Sequence, residues 1–330
     1  MDKKRVSRDA VAKAAGVSAS TVSRALNDSP LLPVETRRRV QAAARELGYQ
    51  IHAGAQSLAS RRCNRIGFAM PGDPAIGALR LGYYADILGS CVQQAAERNH
   101  DVGIILHNDK PSDITRFQSQ LQQSRVDSFV VLGLRQRSPL AQALRKAEVP
   151  CILIGSRIAG MTCIDFEVAD SITSLADRAA AQDRQRVVLV TGDPAYRATA
   201  NQLAAWDAVQ TRGIVDCSRR VRGDFAIGAS RRALGGLEHL RDIDLIACAN
   251  DRSAIGVYQN LRERGLKPGR DIAVCGFDDD DHARVLSPSL STVRQPQADA
   301  GRLAVDLIVE QHLHSDTTFL PTTTVWRESF

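Results

Sequence analysis

The sequence predicts a small N-terminal all-α helix-turn-helix headpiece followed by an α/β core of two doubly wound lobes. Three observations support this. Apolar residues in the first fifty positions recur at helical spacing between glycine breaks, whereas beyond residue 64 short apolar runs alternate with longer amphipathic stretches. Positive charge is confined to one end: residues 1–65 hold thirteen Lys/Arg against five Asp/Glu, a net +8 in a chain of net +6, so the remainder is −2. A basic module on a nearly neutral body fits a polyanion partner.

Each headpiece helix has its own signals. Ser7 is placed to cap a helix with Val11, Ala14 and Ala15 on one face; "AGV" turns the chain, and Ser18 is placed to cap a second helix with Val22, Ala25 and Leu26 inward. Two short helices about a glycine turn make a helix-turn-helix. A third helix follows Pro33, repeats Val40, Ala43, Ala44 and Leu47, and stops at Gly48. In the core, "RIGFAM", "DVGIIL", "SFVVLG", "PCILIG", "RVVLVTG", "DLIACAN" and "DIAVCGFD" read as buried parallel strands separated by stretches of helical length. Ligands of such sheets bind beyond the carboxyl ends of the strands, so a cleft between the lobes is the expected site.

Composition narrows the class. A hydrophobic fraction of 44% over 330 residues supplies two or three compact units. No apolar run is long enough to span a membrane, and "MDKKRVSRDAVAK" lacks the apolar core of a signal peptide, so a cytoplasmic protein is expected. The seven cysteines show no CxxC pair and sit mostly in apolar runs, which reads as reduced core residues. No P-loop, GxGxxG, GxSxG or HExxH occurs, and the seven histidines have no ligand spacing. No catalytic residue, metal site or cofactor is expected; a sugar-binding transport protein or a sugar-active enzyme on the same core is the alternative.

"AVAKAAGVSASTVSRALN", "ETRRRVQAAARELGY" and the distal "ANDRSAIGVYQNLRERGLKPGRDIAVCGFDD…PSLSTVRQP…AGRLAVDLI" together resemble the lactose/galactose-repressor family of bacterial transcription regulators, from about residue 7 to residue 312. The resemblance implies a DNA-binding headpiece at 1–50, a hinge at 51–63 and a periplasmic-binding-protein-like core at 64–330. Within that core, lobe 1 is expected at about 64–161 and 294–322, and lobe 2 at about 162–293 and 323–330. It also implies a sequence-specific regulator, read as a repressor, that binds a near-palindromic operator in double-stranded DNA and responds to a small molecule in the cleft. No leucine-heptad tail follows "TTTVWRESF", so a homodimer is expected.

The implied DNA-binding residues are Ser18, Ala19, Ser20, Thr21, Ser23, Arg24, Asn27, Arg37, Ala55 and Leu58. Ala19 and Ser20 would face base edges, Arg24 can reach guanine O6/N7 in bidentate fashion, and Thr21, Ser23, Asn27 and the arginines at 37–39 suit phosphate contacts. Leu58 would wedge into the minor groove, with Ala55 facing the partner hinge. The hinge departs from the family pattern at Ile51, His52 and Gly54, where a proline entry and an asparagine cap are lost and a helical glycine is gained.

The implied effector contacts are Gln202, Phe225, Asn250, Asp251, Asp278 and Gln295. Carboxylates and amides suit a polyol, and an aromatic face covers its C–H side. Asp251 equally suits a helix cap, Phe225 a core filler, and Asp278 to Asp281 a solvated turn or an oxygen-rich metal site. Gln202 replaces an arginine common in the family, and Gly155 replaces a strand-end Asp. Losing that cation disfavours an anionic ligand, although Arg157 and Arg197 are near enough in sequence to compensate. A sugar or polyol is favoured, with a nucleoside or purine possible.

Overall fold

The computed structural model describes residues 6–26, 29, 31–49, 63–72 and 82–330. The chain divides into two compact units at Cys63/Asn64. In the first, α1 (Arg8–Ala15), α2 (Ala19–Leu26) and α3 (Val34–Glu46) surround a core of Val11, Ala12, Ala15, Val22, Ala25, Val40, Ala43 and Ala44. Ser7 caps α1, its Oγ accepting from Ala10 N at 3.2 Å, and Gly16 ends it at φ 63°, a conformation that a Cβ would strain. Ser18 caps α2 through Thr21 N at 3.2 Å, while Pro33 before α3 supplies no side-chain cap.

Two inward expectations are corrected here. Ala14 is exposed and Ala12 is buried instead. The two alanines lie about 80° either side of the Val11–Ala15 line, so periodicity cannot choose between them and the packing of α2 and α3 does. Leu47 is 38% exposed, and Tyr49 packs against the core beyond the Gly48 turn.

The second unit runs β1 (Arg65–Pro71), α4 (Gly82–Glu97), β2 (Asp101–His107), α5 (Ile114–Gln122), β3 (Ser128–Leu132), α6 (Pro139–Lys146), β4 (Cys151–Ile154), β5 (Thr162–Glu167) and α7 (Ala169–Ala181). It continues through β6 (Arg186–Thr191), α8 (Arg197–Thr211), β7 (Asp216–Arg222), α9 (Ile227–Gly235), β8 (Leu245–Cys248), α10 (Asp251–Glu263), β9 (Ala273–Cys275) and α11 (Asp281–Val285). It closes with β10 (Thr292–Arg294), α12 (Gln297–Val309), β11 (Thr317–Pro321) and β12 (Thr323–Val325). One sheet has the order β11-β5-β4-β3-β1-β2 and the other β7-β6-β8-β9, with every neighbouring pair parallel. β10 and β12 form a separate antiparallel pair where the chain crosses between lobes.

All seven expected strands are present. The lobe boundary expected at 161 moves past β5, because Ile152, Leu153 and Ile154 pair with Thr162, Cys163 and Ile164 and bind that strand into the first sheet. Helices cover both faces of the sheets, and six of the seven cysteines are buried within the unit. On one face α12 lies close against α4: a Cβ on Gly301 would meet Ser90 Oγ at 2.0 Å and Ile87 O at 2.7 Å, so only glycine fits.

The crossover is clamped by carboxylates. Asp279, with only 1% of its side chain exposed, accepts from Arg294 Nε at 2.8 Å on β10 and from Arg327 Nη2 just beyond β12. Asp251, fully buried, accepts from Thr292 Oγ1 at 2.6 Å and Asp280 N at 2.9 Å. The strands that join the lobes are therefore pinned to the loop after β9.

At the end of β2, the buried His107 pairs its Nε2 with Leu132 O at 2.8 Å and accepts from Asp109 N on Nδ1 at 3.3 Å. Those bonds define the neutral Nε2–H tautomer. Desolvation lowers its pKa below 6.5, partly opposed by the Leu132 bond and Asp109. The unfolded chain therefore takes up this proton first as pH falls, and the His107 contribution to stability is complete above about 6.5 and declines below it. Thermal midpoints taken from pH 7.5 to 5.5 should fall more steeply for the wild type than for His107→Gln; parallel slopes would refute the assignment.

Candidate functional site

The headpiece presents one polar face. Ser18, Ser20 and Arg24 are exposed, and Ala19, Thr21 and Ser23 are half-buried. Ser18 Oγ pairs with Ser20 Oγ at 2.9 Å and with Thr21 Oγ1 at 2.8 Å, so the hydroxyls at the start of α2 form one small cluster. Ser23 Oγ accepts from Arg8 Nη1 at 3.4 Å, which ties α1 to α2. Arg37 is half-buried on α3. Arg39, grouped by sequence with the phosphate contacts, donates to Ala15 O at 3.1 Å and caps the end of α1 instead. Asn27, Ala55 and Leu58, with Ile51, His52 and Gly54 of the expected hinge, lie outside the described residues.

In the core unit, the loops beyond the carboxyl ends of β3 and β6 meet: Arg135 pairs with Tyr196, and Gln136 N donates to Ala195 O at 2.8 Å. Phe225, at φ 57°, lays its ring against Gly192, where a Cβ would approach it to 2.0 Å, and meets Tyr196 edge-on at 6.5 Å. Asp278 accepts from Gln295 Nε2 at 2.6 Å, and Gln297 Nε2 donates to its carbonyl at 3.1 Å. Desolvation holds the Asp278 carboxyl well above the usual carboxylate range; the Gln295 bond opposes this, and Asp280 and Asp86 add to it. Tyr84 of lobe 1 stands in the electrostatic reach of both Tyr196 and Asp278. Asp278 and Gln295 are thus brought together directly and Phe225 meets Tyr196; Tyr84 and Tyr196 are two tyrosines that sequence reading missed.

The other three expected contacts have structural tasks. Asn250 is the residue that caps α10, its Oδ1 accepting from Ser253 N at 2.9 Å, so the capping role considered for Asp251 belongs to its neighbour. Asp251 is corrected from effector contact to crossover clamp: with no exposed surface and with Thr292 and Asp280 bonded to it, its carboxylate offers a ligand no face. Gln202 is buried and donates to Ala249 O at 3.2 Å, beside a cavity of about 20 Å³ lined also by Thr199 and Trp206. That volume suits one water molecule and no sugar.

Arg157 and Arg197 do not supply the missing cation freely. Arg157 Nε lies 3.1 Å and Arg197 Nε 3.9 Å from Asp165 Oδ2, on a carboxylate only 4% exposed. The strand-end position at Gly155 is filled by another group: a Cβ there would lie 2.9 Å from Tyr83 Oη. Tyr83 is itself half-buried; desolvation raises its pKa, and Tyr84, Asp165 and Asp278 add to the shift. Among the described residues, no cluster of three His, Cys, Asp or Glu is placed to hold a metal, and no helix is long and apolar enough to cross a membrane.

A capped helix-turn-helix in a basic headpiece, followed by an α/β core of two parallel sheets, defines a DNA-binding transcription regulator with a periplasmic-binding-protein-like core. Residues 9–51 match the family described as bacterial regulatory proteins, lacI family, and residues 176–330 match the periplasmic binding protein-like domain. The chain therefore carries a lacI-family DNA-binding domain and a periplasmic-binding-protein-like domain, and its relatives are repressors of that family. It is 26% identical over 311 residues to the ribose operon repressor of Escherichia coli (strain K12), covering 91% of each chain. It is 27% identical over 310 residues to the HTH-type transcriptional repressor PurR of Escherichia fergusonii, covering 91% of this chain and 89% of that one. Among solved structures, the lac repressor dimer bound to operator and the anti-inducer ONPF superposes with a TM-score of 0.82 at 24% identity, over 99% of each chain. A complex of the regulator CelR with cellobiose gives 0.73 at 24% identity, over 99% of this chain and 100% of that one.

Proposed function

We propose that this chain is a dimeric, effector-controlled repressor that acts in the cytoplasm on a near-palindromic operator. The observation that carries the reading is the Ser18-capped helix α2 with Arg24 exposed on it, in the only segment of the chain with a strong positive excess. Residues 1–50 then form the DNA-binding headpiece, 51–63 the hinge and 64–330 the effector and dimerisation core. Ser18 caps the recognition helix at the DNA; Ala19, Ser20 and Arg24 meet base edges; Thr21, Ser23, Asn27 and Arg37 hold phosphates; Leu58 serves the minor groove and Ala55 the partner hinge.

For the effector we propose Phe225, Asp278 and Gln295 as contacts, joined by Tyr84 and Tyr196. The ligand is a neutral sugar or polyol: Gln202 is bonded to Ala249, and Arg157 and Arg197 are turned toward the buried Asp165 and not toward a phosphate or carboxylate. The aromatic lining of Tyr84, Tyr196 and Phe225 also suits a flat base, which makes nucleosides the second class to test.

Calorimetric titration of the purified protein with neutral pentoses and hexoses, their phosphates, and nucleosides decides between them. A neutral sugar should bind, and Asp278→Asn should weaken it about tenfold, the loss of one charge-assisted or donated hydrogen bond. Binding confined to sugar phosphates would contradict the neutral-ligand reading.

A further inference from the structure

We propose that a polar latch centred on Asp165 holds the two core lobes together across the cleft and sets the equilibrium on which a ligand acts. This rests on the reading of that cleft as the effector site. Asp165 lies on β5 of the first sheet, inside what sequence reading had given to the other lobe. Its Oδ2 accepts from Asn201 Nδ2 at 3.2 Å, and Asn201 belongs to α8 of the second lobe. Arg157, from the loop between β4 and β5, completes the triangle: its Nε is 3.1 Å from Asp165, its Nη2 donates to Asn201 Oδ1 at 3.2 Å, and its guanidinium lies 5.3 Å from the centre of the Phe319 ring on β11. The carboxylate and the arginine come from one lobe and the amide that both bind from the other.

A second strand of the latch lies at the loop leading into α8. Gln136 N donates to Ala195 O at 2.8 Å, Gln136 Nε2 donates to Pro194 O at 2.9 Å, and the Arg135 guanidinium lies 5.8 Å from the centre of the Tyr196 ring. Asp109 fixes Arg135 by accepting from its backbone N at 3.0 Å. Pro194, Ala195, Tyr196 and Asn201 therefore all meet lobe 1. The same segment borders the proposed effector site through Tyr196, which meets Phe225. A ligand that displaces Tyr196 pulls directly on the latch.

The closed arrangement is poised rather than locked. Arg197 Nε is buried without a hydrogen-bond acceptor, since Asp165 Oδ2 is 3.9 Å away, and a buried orphan donor opposes closure. Like charges oppose it too: Gly82 at the start of α4 lies against Asp280, where a Cβ would be 3.2 Å from the Asp280 Cβ, and Asp86 on that helix faces Asp280 and Asp281 of the other lobe. An attractive latch on one side and a repulsive acidic pair on the other leave an equilibrium that small differential binding shifts.

The test reads lobe separation without DNA or ligand. Six of the seven cysteines are buried, so a Cys63→Ser background carrying Arg125→Cys on lobe 1 and Arg232→Cys on lobe 2 accepts spin labels at two exposed sites. Pulsed dipolar spectroscopy should give one narrow distance for the latched protein. Asn201→Ala and Gln136→Ala should each add a longer distance and raise the open fraction several-fold, with a larger effect when combined. Asp165→Asn should do the same if it folds; the other two variants decide the question if it does not. Unchanged distance distributions in folded Asn201→Ala and Gln136→Ala proteins would overturn the latch. Failure to find any effector would count against the cleft reading instead, because this measurement uses none.

Discussion

Replacing Asp279 with alanine is expected to destabilise the core by about 3–5 kcal/mol, the range for breaking a buried ion pair from one side. The reason is geometric. Asp279 is held between Arg294 on β10 and Arg327 beyond β12, and Arg327, 14% exposed, is left with a buried charge and only Leu290 O to receive one of its donors. The backbone at Asp279 is also left-handed, at φ 59°, which alanine tolerates less well than aspartate. By the usual entropy of unfolding, the thermal midpoint should drop by on the order of 10 °C, measured by calorimetry. Asp279→Asn should lose less, because an amide oxygen still accepts from one arginine. Equal, small losses in both variants would mean that the crossover is not clamped there.

The second large effect is on DNA. Arg24→Ala should remove about 1–3 kcal/mol of discrimination between the operator and a duplex changed at the contacted guanine, a factor of roughly 5 to 150. Weak binding to unrelated DNA should change much less, since that term comes from phosphate neutralisation shared across the headpiece. Arg24 is exposed on α2, and its replacement leaves the buried Val22 and Ala25 in place, so the headpiece should stay folded. Competition binding with substituted duplexes reads the two terms separately. A uniform loss across all sequences would assign Arg24 to phosphate contact instead of base reading.

How far the sequence could be read follows from what each element exposes. The seven apolar strands were legible because a parallel strand buried on both faces has almost no polar residue to disguise it. β5 was missed because Asp165 interrupts "TCIDFE", and the missed β5 is why the lobe boundary was set too early. β7 was missed because Arg219, Arg220 and Arg222 stand on an edge strand, where charge is expected physically but erases the apolar signal. The short crossover strands β10 and β12 have three residues each, too few for any period to register.

In the site, Asp278 and Gln295 were legible together because they share the distal motif and meet in space. Asp251 was misassigned for a reason no local pattern reveals: a carboxylate at the end of a strand looks the same whether it faces a cleft or a crossover. The residue that decides it, Thr292, is 41 positions away. Tyr83, Tyr84, Asp165, Tyr196 and Asn201 are defined only by partners brought together by the fold, often from the opposite lobe, and were invisible for the same reason.

Recognition of a palindromic operator by the headpiece underlies every other role assigned to this chain. The most direct test is fluorescence anisotropy of the full-length protein on a selected palindromic duplex and its scrambled counterpart from 50 to 200 mM salt. Binding to the palindrome should be tighter at every salt concentration. Affinity should also fall by about 10³–10⁵ across the series if six to ten phosphates are neutralised. Equal affinity for the two duplexes, with and without the sugar and nucleoside panel, would contradict operator recognition.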